Sequence, residues 1–117
     1  MASYEIWHNP RCSKSRQTLE RLRAAGIEPK IREYLKDPPS RREIQRVLDL
    51  LGFEDPRQLM RTKEPLYKEL GLQDETRRSA LIAALAEHPK LIERPVVIKD
   101  GKEAVLGRPP ENVDALL

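Results

Sequence analysis

The sequence has few of the residues that build metal and disulfide sites. It contains one cysteine and two histidines in 117 residues. A single cysteine cannot form an internal disulfide bond, and Cys12 together with His8 and His88 does not supply an obvious zinc site. We therefore expect neither a bound metal nor a bound cofactor. Any chemistry of Cys12 has to use its own thiol and a partner thiol from another molecule.

Long apolar segments are also missing. No segment approaches the run of about 18 apolar residues that a membrane-spanning helix needs. The first five residues, Met-Ala-Ser-Tyr-Glu, have neither the basic start nor the apolar stretch of a signal peptide. These two absences predict a cytoplasmic protein with no membrane partner.

Charge of one sign is not concentrated anywhere. The chain has 22 Lys and Arg against 19 Asp and Glu, a net charge of +3. Nucleic-acid-binding proteins usually gather basic residues on one face, whereas here acids follow bases closely, as in Lys63-Glu64. We expect no nucleic-acid partner. Hydrophobic residues make up 38%, enough for one modest core, and no linker or repeat divides the chain. Residues 1–117 are therefore expected to form one domain, acting as a monomer.

The first third of the chain predicts a strand, a helix and a second strand. Tyr4–His8 alternates in the manner of a strand. A helical pattern begins near Lys14 and stops at Gly26, a residue type common at helix ends. Lys30–Leu35 predicts the second strand, which Asp-Pro-Pro then ends.

The middle of the chain is predicted to be helical. Ser40 and Glu43 have the spacing of a capping box. Apolar residues follow at positions 44, 47, 48 and 51, the spacing of one helix face, and Gly52 ends the pattern. Further helical segments are predicted at Pro56–Thr62, Pro65–Leu70 and Thr76–Glu87.

The last quarter predicts a hairpin and a terminal helix. Val96–Ile98 is typical of a buried strand, Asp100-Gly101 is a strong hairpin-turn signal, and Glu103–Leu106 is the returning strand. Pro109-Pro110 begins the terminal helix. A β-α-β unit, a helical insert and a β-β-α unit in this order predict an α/β, thioredoxin-like fold.

Cys12 joins the first strand to the first helix. A thiolate at a helix start is stabilised by the unpaired N–H groups and the partial positive charge there. Arg11, Lys14 and Arg16 add positive charge. We therefore expect the pKa of Cys12 to lie below the ordinary value of about 8.5, and His8 to lower it further if it lies near the sulfur. The competing interpretation is an inert, buried cysteine.

Ser15 stands where a Cys-x-x-Cys oxidoreductase carries its second cysteine. A hydroxyl there can donate a hydrogen bond to the thiolate, but it cannot form a disulfide. Cys12 would therefore need an external thiol to complete a catalytic cycle, for which glutathione or a glutaredoxin is the natural candidate.

Several separated motifs carry a resemblance to a known family. They are Tyr4-x-Ile-Trp-His-Asn-Pro-Arg-Cys, Tyr34-Leu-x-x-Pro-Pro-Ser, Leu59-Met-Arg, Leu66-Tyr-x-x-Leu-Gly-Leu, His88-Pro-x-Leu-Ile-x-Arg-Pro and Gly107-Arg-Pro-Pro. On these motifs the chain resembles the glutaredoxin-dependent, ArsC-type arsenate reductases over essentially its whole length. The resemblance implies a thioredoxin-like fold with a helical insert and the reduction of arsenate to arsenite.

The resemblance also implies roles for individual residues. The family's nucleophile matches Cys12, and the histidine and serine associated with it match His8 and Ser15. Three arginines that surround the oxyanion match Arg61, Arg94 and Arg108, and Pro95 matches the cis-proline of the fold. The implied reaction begins with attack of Cys12 on arsenate. Glutathione then adds to the arsenic as co-substrate, and glutaredoxin is the partner that releases arsenite.

Two departures from the family pattern leave other functions open. Ser13-Lys14 stands where the reductases have Gly-Thr, and the chain ends soon after its last predicted helix, where they extend further. One alternative is a glutathione-dependent thiol transferase that acts on glutathione mixed disulfides without arsenate activity. Another is a regulatory protein like the Spx-type proteins that contact RNA polymerase, although those that switch by oxidation typically carry Cys-x-x-Cys, and Ser15 removes that switch.

Overall fold

The computed structural model describes residues 2–117, which form two compact units. The first unit combines the two ends of the chain, residues 2–37 and 94–117, and the second is the intervening segment 38–93. The expectation of one domain over residues 1–117 stays a prediction. No helix among residues 2–117 has the length and apolar character needed to cross a membrane.

A four-stranded sheet with one long helix makes up most of the first unit. Its elements are β1 (Tyr4–Trp7), α1 (Ser13–Ala24), β2 (Lys30–Arg32), β3 (Val96–Lys99) and β4 (Glu103–Leu106). The strand order is β2-β1-β3-β4. β1 runs parallel to β2 and antiparallel to β3, and β4 is antiparallel to β3. These pairings confirm the predicted α/β, thioredoxin-like order of a βαβ unit and a later β-hairpin.

β2 is shorter than the predicted strand Lys30–Leu35. After Arg32 the chain turns back, and the backbone N–H groups of Lys36 and Asp37 both donate to the Glu33 carbonyl at 2.9 Å. The Arg32 Nε also donates to the Asp37 carbonyl at 3.0 Å. This turn outweighs the strand propensity of the residues that follow Arg32.

The core of the first unit lies between the sheet and α1. Its buried members are Ile6, Leu19, Leu22, Val97, Val113 and Leu116. The last two belong to Pro110–Leu116, which is a 3-10 helix and packs against α1 and β4. Burying a side chain of this size contributes about 1.5–3 kcal/mol, so this packing holds α1 against the sheet and the terminal 3-10 helix.

The β3–β4 turn has the conformation that its sequence predicts. Asp100 and Gly101 have φ values of 55° and 64°. Lys99 pairs with Glu103, so Asp100, Gly101 and Lys102 form the loop between the strands, and the Lys102 N–H donates to the Lys99 carbonyl at 3.0 Å. The turn therefore sets the register in which Val96 pairs with Leu106.

The second unit is helical. It contains α2 (Arg41–Leu51), α3 (Pro65–Glu69) and α4 (Arg78–Glu87), with 3-10 helices at Pro56–Leu59, Leu72–Asp74 and Pro89–Leu91. The capping box is present: Ser40 Oγ accepts from the Glu43 N–H at 3.1 Å, and Glu43 Oε1 accepts from the Ser40 N–H at 3.0 Å. Gly52 ends α2 with φ 72°. The helices were predicted, whereas the 3-10 helices at 72–74 and 89–91 were not.

Candidate active site

The loop between β1 and α1 places Cys12 at the helix start. The His8 N–H donates to the Arg32 carbonyl at 2.8 Å, which holds the chain against β2 for one residue beyond β1. The Cys12 N–H then donates to the Asn9 carbonyl at 3.0 Å and closes a tight turn. The Cys12 carbonyl accepts the first helical hydrogen bond, from the Arg16 N–H at 3.0 Å. Cys12 is thus the N-cap residue of α1, as expected.

The Cys12 sulfur lies among hydrogen-bond donors, and the side chain is only 8% exposed. Burial by itself raises the pKa of the thiol. A hydrogen bond from the Arg94 side chain, the charge of Arg94, and the backbone N–H groups of Ser15 and Lys14 outweigh burial, so the pKa of Cys12 falls below that of an ordinary cysteine. The cysteine therefore has the environment of a reactive thiol and not of an inert one.

A second guanidinium group reaches the same sulfur. Arg108 Nη1 lies 3.8 Å from Cys12 Sγ and donates to the Arg94 carbonyl at 3.2 Å. Guanidinium groups bind tetrahedral oxyanions through several hydrogen bonds at once. Two arginines beside one thiolate can therefore neutralise an anion that the sulfur attacks.

Pro95 stands beside these arginines, immediately before β3. The Arg94–Pro95 peptide bond is cis, and so is Arg108–Pro109. The Pro95 carbonyl accepts a hydrogen bond from the Gly107 N–H at 2.8 Å. This bond ties the segment that carries Arg94 to the one that carries Arg108.

His8 and Ser15 form a buried pair next to the helix start. His8 Nδ1 and Ser15 Oγ share a hydrogen bond of 2.6 Å, and the Asn9 N–H donates to the same Ser15 oxygen at 3.0 Å. Ser15 is fully buried and His8 is 6% exposed. The Ser15 hydroxyl is therefore turned towards His8 and Asn9, while the hydrogen bond from Ser15 to the sulfur comes from its backbone N–H.

The protonation of His8 follows from its surroundings. Burial lowers the pKa of His8, Glu33 opposes this by stabilising the imidazolium, and Arg23 and Arg16 lower the pKa further. The net direction is downward from 6.5, so His8 is neutral at pH 7. A neutral imidazole acts on the site through its hydrogen bond to Ser15, and the positive charge beside the sulfur comes from arginine.

Arg61 belongs to the second unit, where two carboxylates hold its side chain. Arg61 Nη1 lies 3.2 Å from Glu64 Oε2, and Arg61 Nε lies 3.8 Å from Glu93 Oε1. Its backbone N–H donates to the Leu91 carbonyl at 2.7 Å. Its role towards an anion rests on the resemblance alone.

Two residues of the Cys12 site were not found from the sequence. Thr18 is fully buried, and its Oγ1 lies 2.9 Å from the Lys14 carbonyl and 3.2 Å from the Gly107 carbonyl. Gly107 was noticed only as part of a motif. No sequence pattern singled out Thr18, because a threonine on the buried face of a helix is a common core residue. Among residues 2–117, no group of three or more His, Cys, Asp and Glu side chains could hold a metal ion.

Comparison with known proteins gives a consistent result. The ArsC family matches residues 7–116 of the chain. An Escherichia coli K12 protein named uncharacterized protein YfgD is 50% identical over 110 residues, covering 93% of this chain and 92% of that protein. A Neisseria meningitidis protein named arsenate reductase is 47% identical over 118 residues, covering 100% of both chains. The solved structure of an arsenate reductase from Vibrio cholerae superposes with a TM-score of 0.94, at 52% identity and with 98% of each chain covered.

Proposed function

The chain belongs to the ArsC family, and from that membership and the geometry at Cys12 we propose that it is an oxidoreductase that reduces arsenate to arsenite. We further propose that glutathione is the co-substrate and that a glutaredoxin is the partner. Cys12 is the nucleophile, and Arg94 and Arg108 bind the arsenate oxygens.

The observation that carries this proposal is the pair of guanidinium groups at the sulfur. Arg94 hydrogen-bonds the Cys12 sulfur, and Arg108 Nη1 lies 3.8 Å from it. A simple thiol exchange needs a thiolate but no site for an anion. Two arginines next to the nucleophile favour a substrate that brings negative charge to the sulfur, as arsenate does.

The proposed reaction begins at the Cys12 thiolate. It attacks arsenic, an S–As bond forms, and one As–O bond breaks with its oxygen leaving as water after protonation. The glutathione thiol forms a second S–As bond with loss of another water. A glutaredoxin thiolate then attacks the glutathione sulfur, and the electron pair of that S–As bond passes to arsenic, which is reduced from As(V) to As(III). Water releases arsenite and restores Cys12.

The arginines act by charge in the first step. Arsenate at neutral pH carries one to two negative charges, and the attacking thiolate adds another. Hydrogen-bond donors placed where that charge develops lower the barrier by about 2.7–4 kcal/mol for each donor. Arg94 also lowers the pKa of Cys12, so it serves both reactants.

The departures in sequence support a second candidate. Lys14 is exposed two residues from the nucleophile, and its backbone N–H bonds the sulfur. Its ammonium group suits a carboxylate of glutathione. A thiol transferase acting on glutathione mixed disulfides would use Cys12 and Lys14 in this way, without needing Arg94 and Arg108 to bind an oxyanion.

One coupled assay separates the two candidates. NADPH oxidation is followed with glutathione and glutathione reductase, first with arsenate and glutaredoxin and then with a glutathione mixed disulfide without glutaredoxin, because glutaredoxin reduces such disulfides by itself. We expect arsenate-dependent oxidation that is abolished in Cys12→Ser and retained in Arg42→Ala, a change of one exposed arginine in the second unit. Turnover of the mixed disulfide with none of arsenate would replace the arsenate proposal by the thiol-transferase one.

A further inference from the structure

Arg108 does not reach the Cys12 sulfur from a free loop. The residue before it, Gly107, is held on two sides: its N–H donates to the Pro95 carbonyl at 2.8 Å, and its carbonyl lies 3.2 Å from Thr18 Oγ1. The first bond joins Gly107 to the segment of Arg94. The second joins it to α1, the helix whose first turn holds the sulfur.

Thr18 connects this segment to the helix start. Its hydroxyl lies 2.9 Å from the Lys14 carbonyl as well as 3.2 Å from the Gly107 carbonyl, so its proton serves both oxygens. Lys14 is part of the turn whose N–H groups bond the Cys12 sulfur. Thr18 therefore spans the two segments that carry the nucleophile and Arg108.

Space at this point is as restricted as the hydrogen bonds. A Cβ on Gly107 would lie 2.7 Å from Thr18 Oγ1, 3.0 Å from Thr18 Cγ2 and 2.9 Å from Pro95 Cγ. Such distances are far inside van der Waals contact. Close contact thus keeps the Gly107 backbone from moving nearer to α1, and the hydrogen bond of the Thr18 hydroxyl keeps it from moving away.

We propose that Thr18 is a positioning residue, which holds Arg108 at the Cys12 sulfur by fixing Gly107 against α1. This inference rests on the proposed function for the identity of the substrate. The Thr18 hydroxyl touches neither substrate nor sulfur, yet it controls how fast a negatively charged reagent reacts at Cys12. Formation of the thiolate depends mainly on Arg94 and the backbone N–H groups, and is left intact.

The test compares two alkylating reagents that differ in charge. The rate of Cys12 alkylation by iodoacetate, an anion, is divided by the rate with neutral iodoacetamide. Arg108 near the sulfur raises this ratio, so Arg108→Ala gives its lower limit. Thr18→Val keeps the shape but lacks the hydroxyl, and should lower the ratio most of the way to that limit. Thr18→Ser keeps the hydroxyl and should stay within about 2-fold of the wild type.

A control variant and a double-mutant cycle of Thr18 and Arg108 make the test specific. Thr76→Val, at an exposed threonine of the second unit, should leave the ratio unchanged. In the Arg108→Ala background, Thr18→Val should have no further effect, because the two residues act as one unit. If Thr18→Val does not fold, Thr18→Ala removes the same hydroxyl with a smaller side chain. The proposal would be overturned if Thr18→Val and Thr18→Ser lowered the alkylation ratio equally. It would also be overturned if Thr18→Val lowered the ratio as much in the Arg108→Ala background as in the wild type.

Arsenate turnover is then measured on the same variants. We expect the arsenate kcat/KM to fall about 10-fold in Thr18→Val, in parallel with the ratio, and to recover in Thr18→Ser. If the wild type does not reduce arsenate while the alkylation ratio still depends on Thr18, the proposed function fails and the positioning role stands. If arsenate is reduced but neither the alkylation ratio nor the arsenate turnover changes in Thr18→Val, the positioning role alone fails.

Discussion

At the scale of single residues, burial and hydrogen bonding act on Cys12 in opposite directions. Burial raises the pKa of the thiol, whereas the Arg94 side chain and two backbone N–H groups lower it. The balance is downward, so the thiolate depends on donors that are specific in position. General positive charge from the exposed Arg11 is not among the principal causes.

This balance predicts which substitution changes the reactivity of Cys12. The rate of iodoacetamide alkylation against pH should show an inflection below about 8.5 in the wild type. Arg94→Gln removes a hydrogen bond and a charge from the thiolate, so the inflection should move upward. The matched control, Arg11→Gln, removes one charge of the same helix start and should leave it in place. Equal shifts in the two variants would show that only net charge matters.

His8 affects stability in acid because its folded pKa is lowered. The unfolded chain takes up a proton near pH 6.5, while the folded chain keeps His8 neutral to a lower pH. The stability contributed by neutral His8 is therefore complete above pH 6.5 and is lost as the pH falls through the window below it.

The corresponding variant is His8→Asn, whose amide keeps a polar atom near the position of Nδ1 but does not titrate. Free energies of unfolding in urea, measured from pH 7.5 to 5, should fall less steeply for this variant than for the wild type. The same slope in both proteins would mean that other groups account for the acid sensitivity.

At the scale of elements, α1 and the segment after β4 approach each other closely where Thr18 meets Gly107. Gly107→Ala places a methyl group 2.7 Å from Thr18 Oγ1, and overpacking of this kind destabilises a fold by about 1–3 kcal/mol. We expect this loss in urea unfolding, together with a lower ratio of iodoacetate to iodoacetamide alkylation at Cys12.

Gly101→Ala is the control for this prediction. Gly101 has φ 64° and open space around its Cα, so an alanine there is strained by about 1 kcal/mol without touching the site. It should lower stability and leave the alkylation ratio unchanged. A reduced ratio in both variants would mean that Cys12 responds to any loss of stability in the first unit.

Elements with local signals were predictable from the sequence. The capping box of Ser40 and Glu43 and the turn at Asp100-Gly101 depend on residues adjacent in the chain, and both are present. The true length of β2 was not predictable, because it depends on hydrogen bonds of Lys36 and Asp37 to the Glu33 carbonyl. The 3-10 form of the terminal helix likewise has no distinct sequence pattern.

The same distinction between local sequence signals and long-range contacts applies to the candidate site. Cys12 and Ser15 were identified from their spacing at a strand–helix junction, which is local information. The contacts of Arg108 with the sulfur and of Thr18 with Gly107 join residues 96 and 89 positions apart. No periodicity reveals such pairs. The family resemblance supplied Arg94 and Arg108, but it gave no reason to single out Thr18.

At the scale of the whole molecule, one of the three arginines that the family resemblance implies for anion binding lies outside the first unit. Arg61 is in the second unit, where Glu64 and Glu93 approach its guanidinium at 3.2 and 3.8 Å. These carboxylates limit the rotamers of a long side chain and so reduce the entropy lost when it binds a ligand. They also offset its charge, and an oxyanion would have to compete with them for its hydrogen-bond donors.

Substitution of Arg61 therefore tests how far the resemblance extends. If Arg61 contacts the charged transition state, Arg61→Ala should lower the arsenate kcat/KM by about 10²–10³, whereas Arg42→Ala, which changes an exposed arginine of the same unit, should have little effect. Alkylation of Cys12 by neutral iodoacetamide should be unchanged in both variants, because that reaction requires no anion. Full arsenate turnover in a folded Arg61→Ala protein would leave Arg94 and Arg108 as the arginines that serve the reaction, and would assign Arg61 to the ion pairs with Glu64 and Glu93. A loss confined to thermal stability would lead to the same conclusion, since removing the guanidinium breaks its ion pairs with Glu64 and Glu93.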